Sequence, residues 1–223
     1  MLEELIKNNV ESLKANISSA TQTEPMIVAV SKKKSKEHIL AALNQGINNF
    51  GENYAAELAE KAQSIDANAI WHFIGPIQSN KTKTIASFAT WVHSVERIKI
   101  AERLNKHCFD FNKSINVLIQ VNIDNEASKS GAQISDVYPL AKYIEKHCPN
   151  LKLRGLMFMP SLTKSANEKN ESMERIKEVI EAISSDFNKF DTFSFGTSHD
   201  YPIALKYGSN LIRVGENIFG KRE

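Results

Sequence analysis

Residues 26–51 read MIVAVSKKKSKEHILAALNQGINNFG. An almost unbroken apolar run, MIVAVS, gives way to polar residues, then to a segment over 36–45 with apolar residues at helical spacing, then to a second strand-like run, INNFG. A strand without polar alternation is covered on both faces, and a helix between two such strands marks a right-handed crossover between parallel neighbours. Gly46, just past the last periodic residue, supplies the stop. One oddity remains: three lysines, Lys32 to Lys34, stand at the carboxyl end of the first strand.

The alternation continues to the end of the chain. Strand-like runs AIWHFIG, WVHSV, INVLIQVNI, LKLRGLMFM, TFSFG and LIRVG follow, with helices predicted over 53–64, 78–87, 96–108, 133–147, 167–186 and 199–207. Eight strand and helix units predict a closed, parallel (β/α)8 TIM barrel of the α/β class; an open doubly wound sheet is the competing architecture. Residues 2–18 form an additional amphipathic N-terminal helix, with Leu2, Leu5, Ile6, Leu13 and Ile17 on one stripe, that covers the remaining face. No linker or repeat interrupts the pattern, so residues 1–223 read as one domain.

Composition narrows the function. A formal charge of +2 is far from the balance of a dedicated nucleic-acid binder. The longest apolar runs are under half a membrane span, and charges among the first twenty residues break any secretory signal, so a cytoplasmic location is expected with no membrane contact. Cys108 and Cys148 each follow a His, in KHCF and KHCP, and two such pairs could bind a metal; surface residues in a reducing compartment are the expected reading, with no metal site.

In such a barrel the chemistry sits at the carboxyl ends of the strands. The last two ends, SFGTSHD (194–200) and RVGEN (213–217), place glycines where backbone N–H groups approach an anion, which suits a phosphate group. Arg213 is expected to pair with an anion. A lysine at the barrel mouth near another cation has a lowered pKa and can attack a carbonyl as the free amine, which selects Lys32. Lys33 and Lys34 alternate away or enter the loop, where a solvated role is expected.

Seven ordered blocks then match a known family: VAVSK (28–32), FGENYAAEL (50–58), WHFIGPIQSNK (71–81), VLIQVNIDNEASKSG (117–131), LRGLMFMP (153–160), SFGTSHD (194–200) and IRVGENIFGKR (212–222). Over nearly its whole length the chain resembles the pyridoxal-phosphate-binding homeostasis proteins, the YggS-like family, which look like the N-terminal barrel domain of alanine racemase. The resemblance implies pyridoxal 5′-phosphate (PLP) as cofactor, held as a Schiff base on Lys32. It implies Asn53 beside the cofactor ring, His72 on the pocket floor, and a phosphate loop of Ser194, Gly196, Thr197 and Ser198 joined by Arg213 and Gly215. Whether Arg213 meets the phosphate or the ring nitrogen stays open. A helix cap for Asn53 and a core imidazole for His72 are the rival readings. Glu216 stands where the family usually has threonine; its carboxylate is expected to point away, leaving its N–H for the phosphate. GTSHD replaces the commoner GMSDD, which favours Ser198 over the Thr197 side chain as a ligand. Lys129 reads as a solvated loop lysine, with a part in cofactor exchange as the alternative.

The chain ends about ten residues after its eighth strand, so the second domain that brings a tyrosine to the cofactor in alanine racemases is not expected. That favours a non-catalytic monomer that buffers PLP in vitamin B6 homeostasis and passes it to PLP-dependent apoenzymes. The alternatives are a fold-type III PLP-dependent amino-acid racemase and a sugar-phosphate barrel enzyme in which Lys32 forms a transient imine.

Overall fold

The computed structural model describes residues 1–65, 68–125, 130–161 and 165–221. Eight parallel strands close into a barrel in sequence order: β1 (Met26–Val30), β2 (Asn49–Glu52), β3 (Ile70–Phe73), β4 (Trp91–Val95), β5 (Ile115–Val121), β6 (Leu151–Phe158), β7 (Thr192–Thr197) and β8 (Leu211–Val214). β1 pairs with β8, with Val28 opposite Arg213, and this pairing removes any open edge. All eight predicted strands are present, and the doubly wound alternative falls with the closure.

The helices are α1 (Leu2–Ala20), α2 (Lys36–Asn44), α3 (Ala55–Ser64), α4 (Thr82–Phe88), α5 (Ile98–Asp110), α6 (Ile134–His147), α7 (Ala166–Ser184), α8 (Tyr201–Lys206) and α9 (Glu216–Phe219). The four-residue α9 follows β8 but is too short to cover it. Instead α1 packs against α2, α8 and α9, burying Ile6, Val10, Leu13 and Ile17, and completes the outer ring as expected.

Alternate strand residues face outward and inward. The outward set, including Phe50, Trp71, Val92, Ile119, Phe158 and Phe195, joins the helices in the main hydrophobic core. The inward set contains a small apolar cluster of Trp91, Leu118 and Met157, with Met26 against it. Above that plug the barrel interior is polar, with His72, His93, Ser194 and Arg213 all buried. Cys108 and Cys148 are also buried, contrary to the surface position expected for them; burial pushes both thiols up to about 11. Both belong to apolar faces packed in the main core, and a neighbouring histidine in the sequence says nothing about that face. Among the described residues no group of three or more His, Cys, Asp or Glu side chains gathers as a metal site, and no helix is long and apolar enough to cross a membrane.

Candidate functional site

A cavity of about 500 Å³ opens at the carboxyl ends of the strands. That volume suits a small-molecule ligand. Lys32 reaches it because strand alternation persists past β1: Val30 and Lys32 line the cavity, while Ser31 between them turns outward and is fully buried. Ser31 N–H continues the ladder to Gly51 O at 3.0 Å.

What holds this strand end lies outside the sheet. Ser31 Oγ donates to Glu52 Oε1 at 2.6 Å, and Lys61 Nζ, on α3, donates to Ser31 O at 2.6 Å, Glu52 Oε1 at 2.8 Å and Glu57 Oε1 at 2.7 Å. Glu57 also accepts from Lys33 N–H. Burial raises the Glu52 carboxyl above the usual carboxylate range, and the bonds from Lys61 and Ser31 oppose that rise. Lys32 is thus flanked by fixed backbone on both sides. Lys33 is exposed at φ +61°, and this left-handed step redirects the chain so that Lys34 also lines the cavity, its Nζ 3.4 Å from Phe219 O. The solvated role expected for Lys34 is corrected by that step.

Asn53 lines the cavity too. Its Oδ1 is buried with no hydrogen-bond partner among the described residues, an arrangement that calls for a ligand donor. The helix-cap reading fails, because α3 begins at Ala55 with Tyr54 as its cap residue. Gly75 permits this placement: a Cβ there would lie 2.2 Å from Asn53 O.

Beside Lys32, on the neighbouring side of the barrel mouth, the cavity is walled by Thr197 and Ser198 at the end of β7 and by Gly215 and Glu216 after β8. Ser198 Oγ accepts from Gly215 N–H at 3.2 Å, which ties the two loops and keeps its own hydroxyl hydrogen for a ligand. Thr197 lines the cavity but turns its polar groups into its own loop. Its N–H and Oγ1 both donate to Asp200 Oδ1, at 2.6 and 2.7 Å, so those donors are engaged within the loop. Glu216 Oε2 sits 3.8 Å from His199 Nε2 at the exposed rim, in line with a carboxylate turned from the anion position.

Three expected residues are not brought to the cavity. Gly196 belongs to β7, and its lack of a side chain serves packing: a Cβ would lie 2.8 Å from Ala204 Cβ on α8. Ser194 lies below, its Oγ engaged by Arg213 and His93. His72 lies deeper still, fully buried and bonded to His93 and Asn49 rather than forming the floor. The floor is formed by Arg213, whose Nη1 donates to Ser194 O at 2.8 Å and Oγ at 2.5 Å and whose Nη2 donates to Phe158 O at 3.0 Å. Lys129 lies outside the described residues.

Residues missed in the sequence complete the site. Lys34 and Lys221 add to Lys32 and Arg213, so four basic side chains line the cavity, a charge suited to a doubly charged anion. Ile74 and Met159 supply apolar wall for a flat ring. Both sit one residue past a strand end, where inward alternation would have selected them.

The alanine racemase N-terminal domain family matches residues 4–223. The chain belongs to that family. A pyridoxal phosphate homeostasis protein of Haemophilus influenzae is 40% identical over 97% of this chain and 96% of its own length. The structure of PipY from Synechococcus elongatus with PLP bound superposes with a TM-score of 0.85 at 26% identity, covering 96% of this chain and 100% of PipY. Alanine racemase from Corynebacterium glutamicum shares the fold, with a TM-score of 0.78 at 12% identity over 99% of this chain and 62% of the racemase.

Proposed function

We propose that this cavity binds pyridoxal 5′-phosphate, with the Lys32 amine as the group that bonds its aldehyde carbon, and that the protein serves cofactor homeostasis without running a reaction of its own. The carrying observation is that Lys32 and the Ser198 and Gly215 loops line one cavity. When bound, the cofactor supplies a reactive aldehyde and a ring able to accept electrons. Ser198 and the N–H groups opening α9 would hold the phosphate, Asn53 Oδ1 would accept from the ligand, and Ile74 and Met159 would shelter the ring. Arg213 keeps two N–H donors for the ligand, since three of its five are bonded to protein oxygens. The near full-length match to the Haemophilus homeostasis protein favours storage and delivery of the cofactor to apoenzymes in the cytoplasm, by residues 1–223 acting as one unit.

Purified protein mixed with PLP should develop visible absorbance, and Lys32→Ala should abolish it; a coloured Lys32→Ala protein would contradict the assignment. The family's relation to alanine racemase supports a second reading, an amino-acid racemase. Loss of the α-proton signal of amino acids in heavy water, catalysed by the PLP-loaded protein, would favour it; retention of that signal is expected.

A further inference from the structure

A row of hydrogen bonds crosses the barrel interior beneath the cavity. Ser194 Oγ, which accepts from Arg213, lies 3.1 Å from His93 Nδ1; His93 Nε2 lies 2.9 Å from His72 Nδ1; and His72 Nε2 lies 3.0 Å from Asn49 Oδ1. Its members come from β8, β7, β4, β3 and β2, so it runs from the cavity floor to a half-buried asparagine at the start of β2. Inward positions of such barrels are ordinarily filled by bulky branched side chains, and burying polar groups there is unfavourable unless each is bonded.

The two ends fix the direction. A guanidinium can only donate and an amide oxygen can only accept. Burial lowers the His72 pKa to about 3 and holds that of His93 well below the usual imidazole value, so both rings are neutral with one N–H each. One arrangement then satisfies all contacts. Arg213 donates to Ser194, the Ser194 hydroxyl to His93 Nδ1, His93 Nε2–H to His72 Nδ1, and His72 Nε2–H to Asn49. The Ser194 hydroxyl hydrogen is thereby directed at His93, leaving its lone pairs toward Arg213.

We infer that His93, supported by His72 and Asn49, is a positioning residue for the cofactor: it orients the Ser194 hydroxyl, which sets the guanidinium of Arg213 so that its remaining N–H groups serve the ligand. The inference rests on the cofactor reading given above. It assigns work to two histidines, neither of which lines the cavity.

The test has two arms. In the cofactor-free protein, ¹⁵N resonances of the two imidazoles should report the Nε2–H tautomer for both rings; an Nδ1–H tautomer at either ring would overturn the arrangement. In PLP titrations followed by visible absorbance, Ser194→Ala and His93→Gln should each bind about tenfold more weakly, the loss of one net hydrogen bond, with a displaced absorption band. Ser194→Thr, which keeps the hydroxyl, should restore both properties. Ser194→Ala removes a single oxygen and serves if His93→Gln does not fold. Wild-type affinity and an unmoved band in Ser194→Ala would overturn this inference alone. Failure of the unaltered protein to take up PLP would overturn the cofactor reading and this inference with it.

Discussion

Ser31 and Lys32 leave the first strand in opposite directions, the hydroxyl toward Glu52 and the lysine side chain into the cavity. Their alternation was legible in the sequence, because a strand end followed by one polar residue fixes which side the next one takes. The support was not legible. Lys61 is 30 residues from Ser31, and nothing in an amphipathic helix pattern marks one of its lysines as buried. The side chain of Lys61 is 9% exposed and that of Glu52 is not exposed at all. Lys61→Met should therefore lower stability by about 3 kcal/mol in urea denaturation, since it strands a buried carboxyl and the Ser31 carbonyl. A loss below about 1 kcal/mol would show that this pair does not brace the strand end.

At the scale of elements, β3 and β4 each contribute an inward histidine, and Trp91 stacks on His72 with ring centroids 5.7 Å apart. His72 was visible as an inward residue, but its partner was not. Sequence periodicity gives the face of a strand, whereas the meeting of His93 with Ser194, 101 residues away, depends on barrel closure. The same holds for Thr197: that its donors turn to Asp200 depends on loop conformation, which no strand or helix period encodes. The histidines make acid stability diagnostic. The His72 pKa falls from 6.5 unfolded to about 3 folded, so its contribution is present above pH 6.5 and is lost as pH falls toward 3. The wild-type unfolding free energy between pH 6 and pH 4 should fall more steeply than that of His72→Gln, by ~1.4 kcal/mol per pH unit. Equal slopes would mean that the ring is protonated in the folded protein.

For the whole molecule, the order of strands and helices followed from apolar runs separated by helical segments, because a barrel buries both faces of every strand. The short α9 escaped, since four residues carry no period, whereas the share of the outer ring left to α1 could be read from its apolar stripe. The location of the site also followed from the fold, at the carboxyl ends of the strands, while its floor did not: Arg213 takes the place expected of His72. What the assembled molecule does turns on one amine. Borohydride reduction of the protein with PLP, followed by mass mapping of its peptides, tests this directly. The predicted result is one added pyridoxyl phosphate group, on Lys32; a label on Lys34, Lys221 or any other lysine, or no label at all, would contradict the account.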